Sequence, residues 1–149
     1  MTSTISLTID GHEITTTPGQ TDIQAAMDAG IYVPYLCYWP GMKPYGACRM
    51  CVVEVEGQRG TPASCTLPAA DGMVVHTDTP LAKELRQGIL ELLLSEHPHG
   101  CLTCHRIELC GPQDICLRHV RVTDRCVVCP KNDRCELKDT VRYVNMDLE

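Results

Sequence analysis

Cys37-Tyr38-Trp39-Pro40-Gly41-Met42-Lys43-Pro44-Tyr45-Gly46-Ala47-Cys48-Arg49-Met50-Cys51 is the stretch on which the fold turns, and Cys65 completes it as C-x10-C-x2-C-x13-C. A long loop bearing glycine lets backbone N–H groups turn toward sulfur, and the two-residue spacer lets Cys48 and Cys51 reach adjacent metal positions. Four-cysteine zinc sites usually set two C-x2-C pairs apart. Here one tight pair stands between two single cysteines, so the set reads as a [2Fe–2S] site, with zinc as its competitor. Tyr32, Tyr35, Tyr38, Trp39 and Tyr45 gather around Cys37, either to shield a metal centre from water or simply to pack a small core.

Working outward, Ile5, Leu7 and Ile9 alternate with polar residues and Asp10-Gly11 is a turn signal, so residues 4–17 are predicted to form a hairpin. Thr21 or Asp22 caps a short helix carrying Ile23, Ala26 and Met27 and ended by Gly30. Beyond the cysteine loop, Cys51-Val-Val-Glu-Val and Met73-Val-Val-His carry strand patterns. Together these predict an α+β unit over 1–78. Thr79-Pro80 then opens a helix over 80–96, whose Leu81, Leu85, Ile89, Leu92 and Leu93 recur at helical spacing and are expected to pack against that unit.

The other seven cysteines crowd into the last third of the 149 residues. Cys101-x2-Cys104-x5-Cys110-x3-Asp114 recurs at a constant offset of 25 residues as Cys126-x2-Cys129-x5-Cys135-x3-Asp139. Each copy supplies three cysteines and needs a fourth ligand. Positions 97 and 116 have valines as their offset partners, Val122 and Val141, so His97 and Cys116 are unduplicated and serve one set each. Eleven cysteines and one histidine make twelve ligands, enough for three clusters of four. The region around them has few apolar residues, so its folding is expected to depend on metal. Arg118, Arg121 and Arg125 lie between Cys116 and Cys126, either in a solvated loop or offsetting cluster charge.

The formal net charge of −6 argues against binding nucleic acid through phosphates and suits docking on a basic protein surface. The amino terminus lacks a basic segment followed by an apolar run, and no stretch approaches membrane-span length, which points to a cytoplasmic protein without direct membrane insertion. In a reducing compartment, cysteines at this density are metal ligands rather than disulfides. No dinucleotide fingerprint, phosphate loop or nucleophile with a base at usable spacing is present.

Gly46-Ala47-Cys48-Arg49-Met50-Cys51, with Cys37 before and Cys65 after, resembles the N-terminal iron–sulfur region of the complex I large subunit, iron-only hydrogenases and NAD-linked formate dehydrogenases. His97-Pro98-His99-Gly100-Cys101-Leu102-Thr103-Cys104 followed by Cys110 resembles the His/three-Cys [4Fe–4S] motif of the same families. The resemblance implies a ferredoxin-like β-grasp domain over 1–78, then a linking helix and two-cluster region over 79–149. It implies one [2Fe–2S] cluster on Cys37, Cys48, Cys51 and Cys65, and two [4Fe–4S] clusters. The chain departs from the family after Cys104, because the family ending Cys-Glu-Leu appears at Cys135-Glu136-Leu137 instead of after Cys110. Two pairings are therefore open. The local one is expected, because it reproduces the family spacing whole: His97, Cys101, Cys104 and Cys110 hold one cluster, while Cys116, Cys126, Cys129 and Cys135 hold the other; in the swapped one, ligands cross between the copies. His99 competes with His97.

The function expected is that of a stand-alone electron-transfer subunit, not an enzyme by itself, in a cytoplasmic oxidoreductase complex. Its partners would be catalytic or flavin-containing oxidoreductase subunits. The alternative is a zinc-stabilised adaptor with no redox role, and a cluster-losing sensor is a weaker third, since no DNA-reading element is evident.

Overall fold

The computed structural model describes residues 4–116 and 124–146 and divides into two compact units, Met1–Ile89 and Leu90–Glu149. Arg118 and Arg121 lie outside the described residues.

In the first unit, β1 (Ile5–Ile9) and β2 (His12–Thr16) form the predicted hairpin, with Ile9 paired to His12. Asp10 and Gly11 connect them in left-handed conformation, φ 49° and 82°, as a two-residue hairpin turn demands. The helix α1 (Asp22–Asp28) follows, and the Gln24 side chain accepts a hydrogen bond from the Thr21 N–H at 2.9 Å, tying down its first turn. Short strands β3 (Glu54–Val55) and β4 (Val74–His76) complete a four-stranded sheet of order β2-β1-β4-β3, in which β1 and β4 run parallel. Leu7, Ile9, Ile23, Ala26, Val53 and Val75 bury the core between sheet and α1. This is the mixed α+β, ferredoxin-like arrangement that the sequence implies.

The run from Cys51 to Val55 is not one strand. Residues 51–53 turn away from the sheet and pair with 62–64: Val53 N–H donates to the Pro62 carbonyl, Ser64 N–H to that of Cys51, both at 3.0 Å, and Val52 bridges Ala63. That pairing carries Cys51 alongside the segment ending in Cys65.

Helix α2 (Pro80–Ser95) starts where predicted, with the Thr79 hydroxyl accepting from the Ala82 N–H at 3.1 Å. Its apolar face differs from the predicted one. Leu81, Leu85, Leu92 and Leu93 are exposed, and the buried positions are Ala82, Arg86, Leu90 and Leu94, four residues apart. The reason is Arg86, which is fully buried because its guanidinium donates from Nε to the Met50 carbonyl at 3.1 Å and from Nη2 to the Val52 carbonyl at 2.8 Å. With its charge satisfied by hydrogen bonds, the arginine stem joins the buried stripe and rotates the helix away from the leucine-rich edge.

In the second unit the two sequence copies repeat in backbone as well. Short 3-10 turns occupy Ile107–Leu109 and Asn132–Arg134, preceded by Arg106 and Lys131 with almost the same dihedrals, φ/ψ −99°/4° and −100°/1°. Cys104 N–H donates to Cys101 O at 3.2 Å, and Cys129 N–H to Cys126 O at 2.9 Å. Helix α3 (Glu136–Val144) closes the second copy, ended by Asn145 in left-handed conformation. Among the described residues of this unit, the side chains fully enclosed are Leu90, Leu102, Thr140 and Val141.

Candidate iron–sulfur sites

The loop of the first site aims donors at sulfur. Cys48 N–H donates to Cys37 Sγ at 3.4 Å. Burial pulls the Cys37 thiol up, but N–H groups of Cys48 and Ala47 outweigh it and leave the thiol below its ordinary value. For Cys48 burial prevails, although the Met50 N–H also donates to it, so its value is raised. Cys65, buried and facing Cys51 and Cys37, is pushed up to about 12, with the Gly46 N–H offsetting part of the rise. Metal binding to such thiols must displace their protons and is correspondingly favoured by higher pH.

Two backbone features make this loop. Gly46 has φ 67°, and a Cβ there would stand 3.0 Å from Thr66 Cγ2, so a larger residue would carry backbone strain and displace the threonine side chain. Arg49, between the paired cysteines, is left-handed at φ 59° and anchored by Nη2 donating to the Thr61 carbonyl at 2.7 Å. Cys37 is exposed and Cys48 half-buried, whereas Cys51 and Cys65 are buried. The aromatic residues divide: Tyr38 is buried and makes an edge-to-face contact with Tyr35 at 5.7 Å, while Tyr32, Trp39 and Tyr45 are exposed. Packing accounts for the first two, and no aromatic shield encloses the loop.

None of the eleven cysteines is in a disulfide. Among the described residues no three His, Cys, Asp or Glu side chains converge as a single-ion site; the thiols face one another in a looser group. With N–H donors at the sulfurs of Cys37, Cys48 and Cys65, the first set fits an anionic cluster.

His97 Nδ1 lies 2.7 Å from the Pro98 carbonyl. A carbonyl only accepts, so Nδ1 carries the proton and Nε2 keeps its lone pair for a metal. His99 Nδ1 stands 3.3 Å from the His97 carbonyl, which leaves it the same tautomer with a longer bond. Burial first, then the neighbouring thiols of Cys101 and Cys135, push the Cys126 thiol up to about 11 against the opposing charge of Lys138. Cys135 caps α3, its Sγ accepting from Lys138 N–H at 3.4 Å, and Cys129 Sγ accepts from Lys131 N–H at 3.5 Å. Arg125 binds the carbonyls of Asp114 and Pro112, fastening the end of the second copy's approach to the loop behind Cys110.

Sequence reasoning missed Arg86. Its two carbonyl partners flank Cys51, so a buried cation sits directly behind the tight cysteine pair. One arginine within a helical leucine pattern gives no signal by itself.

A family model of the 2Fe-2S iron-sulfur cluster binding domain matches residues 2–80, and one of the NADH-ubiquinone oxidoreductase-G iron-sulfur binding region matches 86–121. The G subunit of NADH-quinone oxidoreductase from Rickettsia prowazekii is 44% identical over 81% of this chain and 18% of its own length. The Streptomyces coelicolor protein of the same name is 45% identical over 77% of this chain and 14% of its own. The chain thus spans less than a fifth of these relatives. The crystal structure of an NAD+-reducing [NiFe]-hydrogenase in its H2-reduced state superposes with TM-score 0.60 at 39% identity, over 70% of this chain and 44% of that one. With the first family model covering more than half of its residues, the chain belongs to the 2Fe-2S iron–sulfur cluster binding domain family.

Proposed function

We propose that the chain is an iron–sulfur electron-transfer unit of a cytoplasmic multi-subunit oxidoreductase, not an enzyme by itself. It relays electrons between a flavin- or metal-containing catalytic subunit and another redox partner. Cys37, Cys48, Cys51 and Cys65 hold one [2Fe–2S] cluster; His97, Cys101, Cys104, Cys110, Cys116, Cys126, Cys129 and Cys135 hold two [4Fe–4S] clusters. The observation that carries this reading is the first loop, where backbone N–H groups of Gly46, Ala47, Cys48 and Met50 are directed at the thiols of the set. Fixed donors around sulfur stabilise the added charge of a reduced cluster. When bound, such clusters take up and release single electrons. The kinship with proteins named for NADH-quinone oxidoreductase, and with an NAD+-reducing hydrogenase, supports placing the unit in a redox complex. No helix among the described residues is long and apolar enough to cross a membrane, which agrees with a unit reached through protein partners.

Anaerobic metal analysis tests the proposal. Two irons in the first site and four in each other site give about ten per chain, with dithionite-reducible paramagnetic resonance signals of both cluster types. Protein loaded with zinc and devoid of iron when prepared anaerobically belongs instead to the zinc-adaptor class.

A further inference from the structure

The segment from Met50 to Val53 is held from two sides. On one side it pairs with residues 62–64: the Val53 N–H donates to the Pro62 carbonyl and the Ser64 N–H to the Cys51 carbonyl, both at 3.0 Å. That ladder sets Cys51 beside the residue that precedes Cys65. On the other side the fully buried Arg86 of α2 donates from Nε to the Met50 carbonyl at 3.1 Å and from Nη2 to the Val52 carbonyl at 2.8 Å. One guanidinium therefore grips the residues immediately before and after Cys51. Its bonds are charge-assisted, and the rigid fork fixes the spacing of the two carbonyls. The Val52 carbonyl and the Val53 N–H belong to one peptide, so Arg86, that peptide and the Pro62 carbonyl form a chain in which each hydrogen bond polarises the next. The Met50 carbonyl shares its peptide with the Cys51 N–H, which a cation on the oxygen makes more positive. Packing alone does not call for this residue, since Leu90 and Leu94 fill the next buried positions of the same helix and a guanidinium costs more to desolvate than a leucine.

We infer that Arg86 is a positioning residue of the [2Fe–2S] site: by gripping the carbonyls on either side of Cys51 it fixes the backbone that presents this thiol and raises the midpoint potential. The inference rests on the iron–sulfur reading of the first site and adds to it a residue that binds no metal. Reduction by one electron turns one ferric ion ferrous, breaks no bond and makes the site more negative by one charge. A cation and polarised amides behind Cys51 favour that state. Because the guanidinium is enclosed, solvent and salt screen its effect little.

The test uses the full chain loaded anaerobically, with the midpoint of each cluster type read by paramagnetic resonance during dithionite titration. At the potential where the parent [2Fe–2S] site is half reduced, Arg86→Met is expected to lower the reduced-to-oxidised ratio about tenfold, a shift of about 59 mV. Arg86→Lys keeps a charged donor and is expected to bring that ratio back to within about threefold of the parent. The [4Fe–4S] midpoints should stay in place in both. Val75→Ala truncates a buried core residue of β4, so it loosens packing without touching the grip on Cys51, and its [2Fe–2S] midpoint is expected not to move. An unshifted or raised midpoint in Arg86→Met overturns the role, as does an equal fall in Val75→Ala, in Arg86→Lys or at the [4Fe–4S] sites. If Arg86→Met does not load the first site, Arg86→Gln takes its place under the same criteria. If neither loads, recovery of loading and midpoint in Arg86→Lys supports the role, and failure of all three overturns it. A parent chain that takes up zinc and no iron overturns the electron-transfer reading itself, whereas an iron-loaded parent whose midpoint survives Arg86→Met overturns the positioning role alone.

Discussion

Asp22 stands at the start of α1 fully buried, and neither carboxylate oxygen has a hydrogen-bond partner among the described residues. Burial, with a smaller contribution from Asp10, pushes its pKa from 3.8 to about 7. A carboxyl raised in this way keeps a proton that the unfolded chain has released, so its contribution to stability is greatest below pH 4 and is lost as pH rises toward 7. The loss amounts to a few kcal/mol at most, about 1.4 per pKa unit. Asp22→Asn, which cannot ionise, is expected to flatten this dependence: denaturation midpoints of the loaded chain should fall from pH 5.5 to 7.5 in the parent more than in the variant, by roughly 1–2 kcal/mol. Equal slopes would show that the carboxyl is already ionised in the fold. At this scale the cysteine loop was legible, since thiol spacing and glycine in a long loop carry their chemistry locally. The burial of Asp22 was not, because an acidic residue after threonine reads as an ordinary helix start and its enclosure depends on segments distant in sequence.

Helix α2 shows how an element can be found and yet be turned the wrong way. Its start at Thr79-Pro80 and its length follow from capping and periodicity. Its orientation follows from Arg86, whose partners lie more than 30 residues earlier in the chain. Two substitutions separate the faces. Arg86→Ala leaves the Met50 and Val52 carbonyls without their charged donor and is expected to destabilise the chain by about 3 kcal/mol or more. Leu92→Ala, at a position 76% exposed, should change stability by less than about 0.5 kcal/mol. Thermal melts of the two variants check this, and a large loss from Leu92→Ala with none from Arg86→Ala would restore the leucine stripe as the packed face. The hairpin, by contrast, was legible in full, because Asp10-Gly11 fixes the turn and the turn fixes the register. The run 51–55 was misjudged because alternation marks a strand without naming its partner.

Over the whole molecule, the two units differ in what holds them. The first has a contiguous apolar core between sheet and helix, whereas the second encloses few apolar side chains among its described residues. Stripping iron anaerobically with a chelator is therefore expected to leave the first unit protected from limited proteolysis while cleavage spreads through 97–146. Equal protection of both regions would show that the second unit folds without metal. The division of ligands within that unit was beyond the sequence, since the spacers fit two pairings equally. The duplicated turns also bear on descent. Unequal crossing-over between the two copies removes 25 codons and splices Cys104 to Pro130, leaving His97-x3-Cys101-x2-Cys104 joined to x5-Cys135-Glu136-Leu137. Such a gene encodes a shorter chain that keeps the His-x3-Cys-x2-Cys-x5-Cys spacing, so one recombination event suffices to convert the duplicated form into a single-copy one.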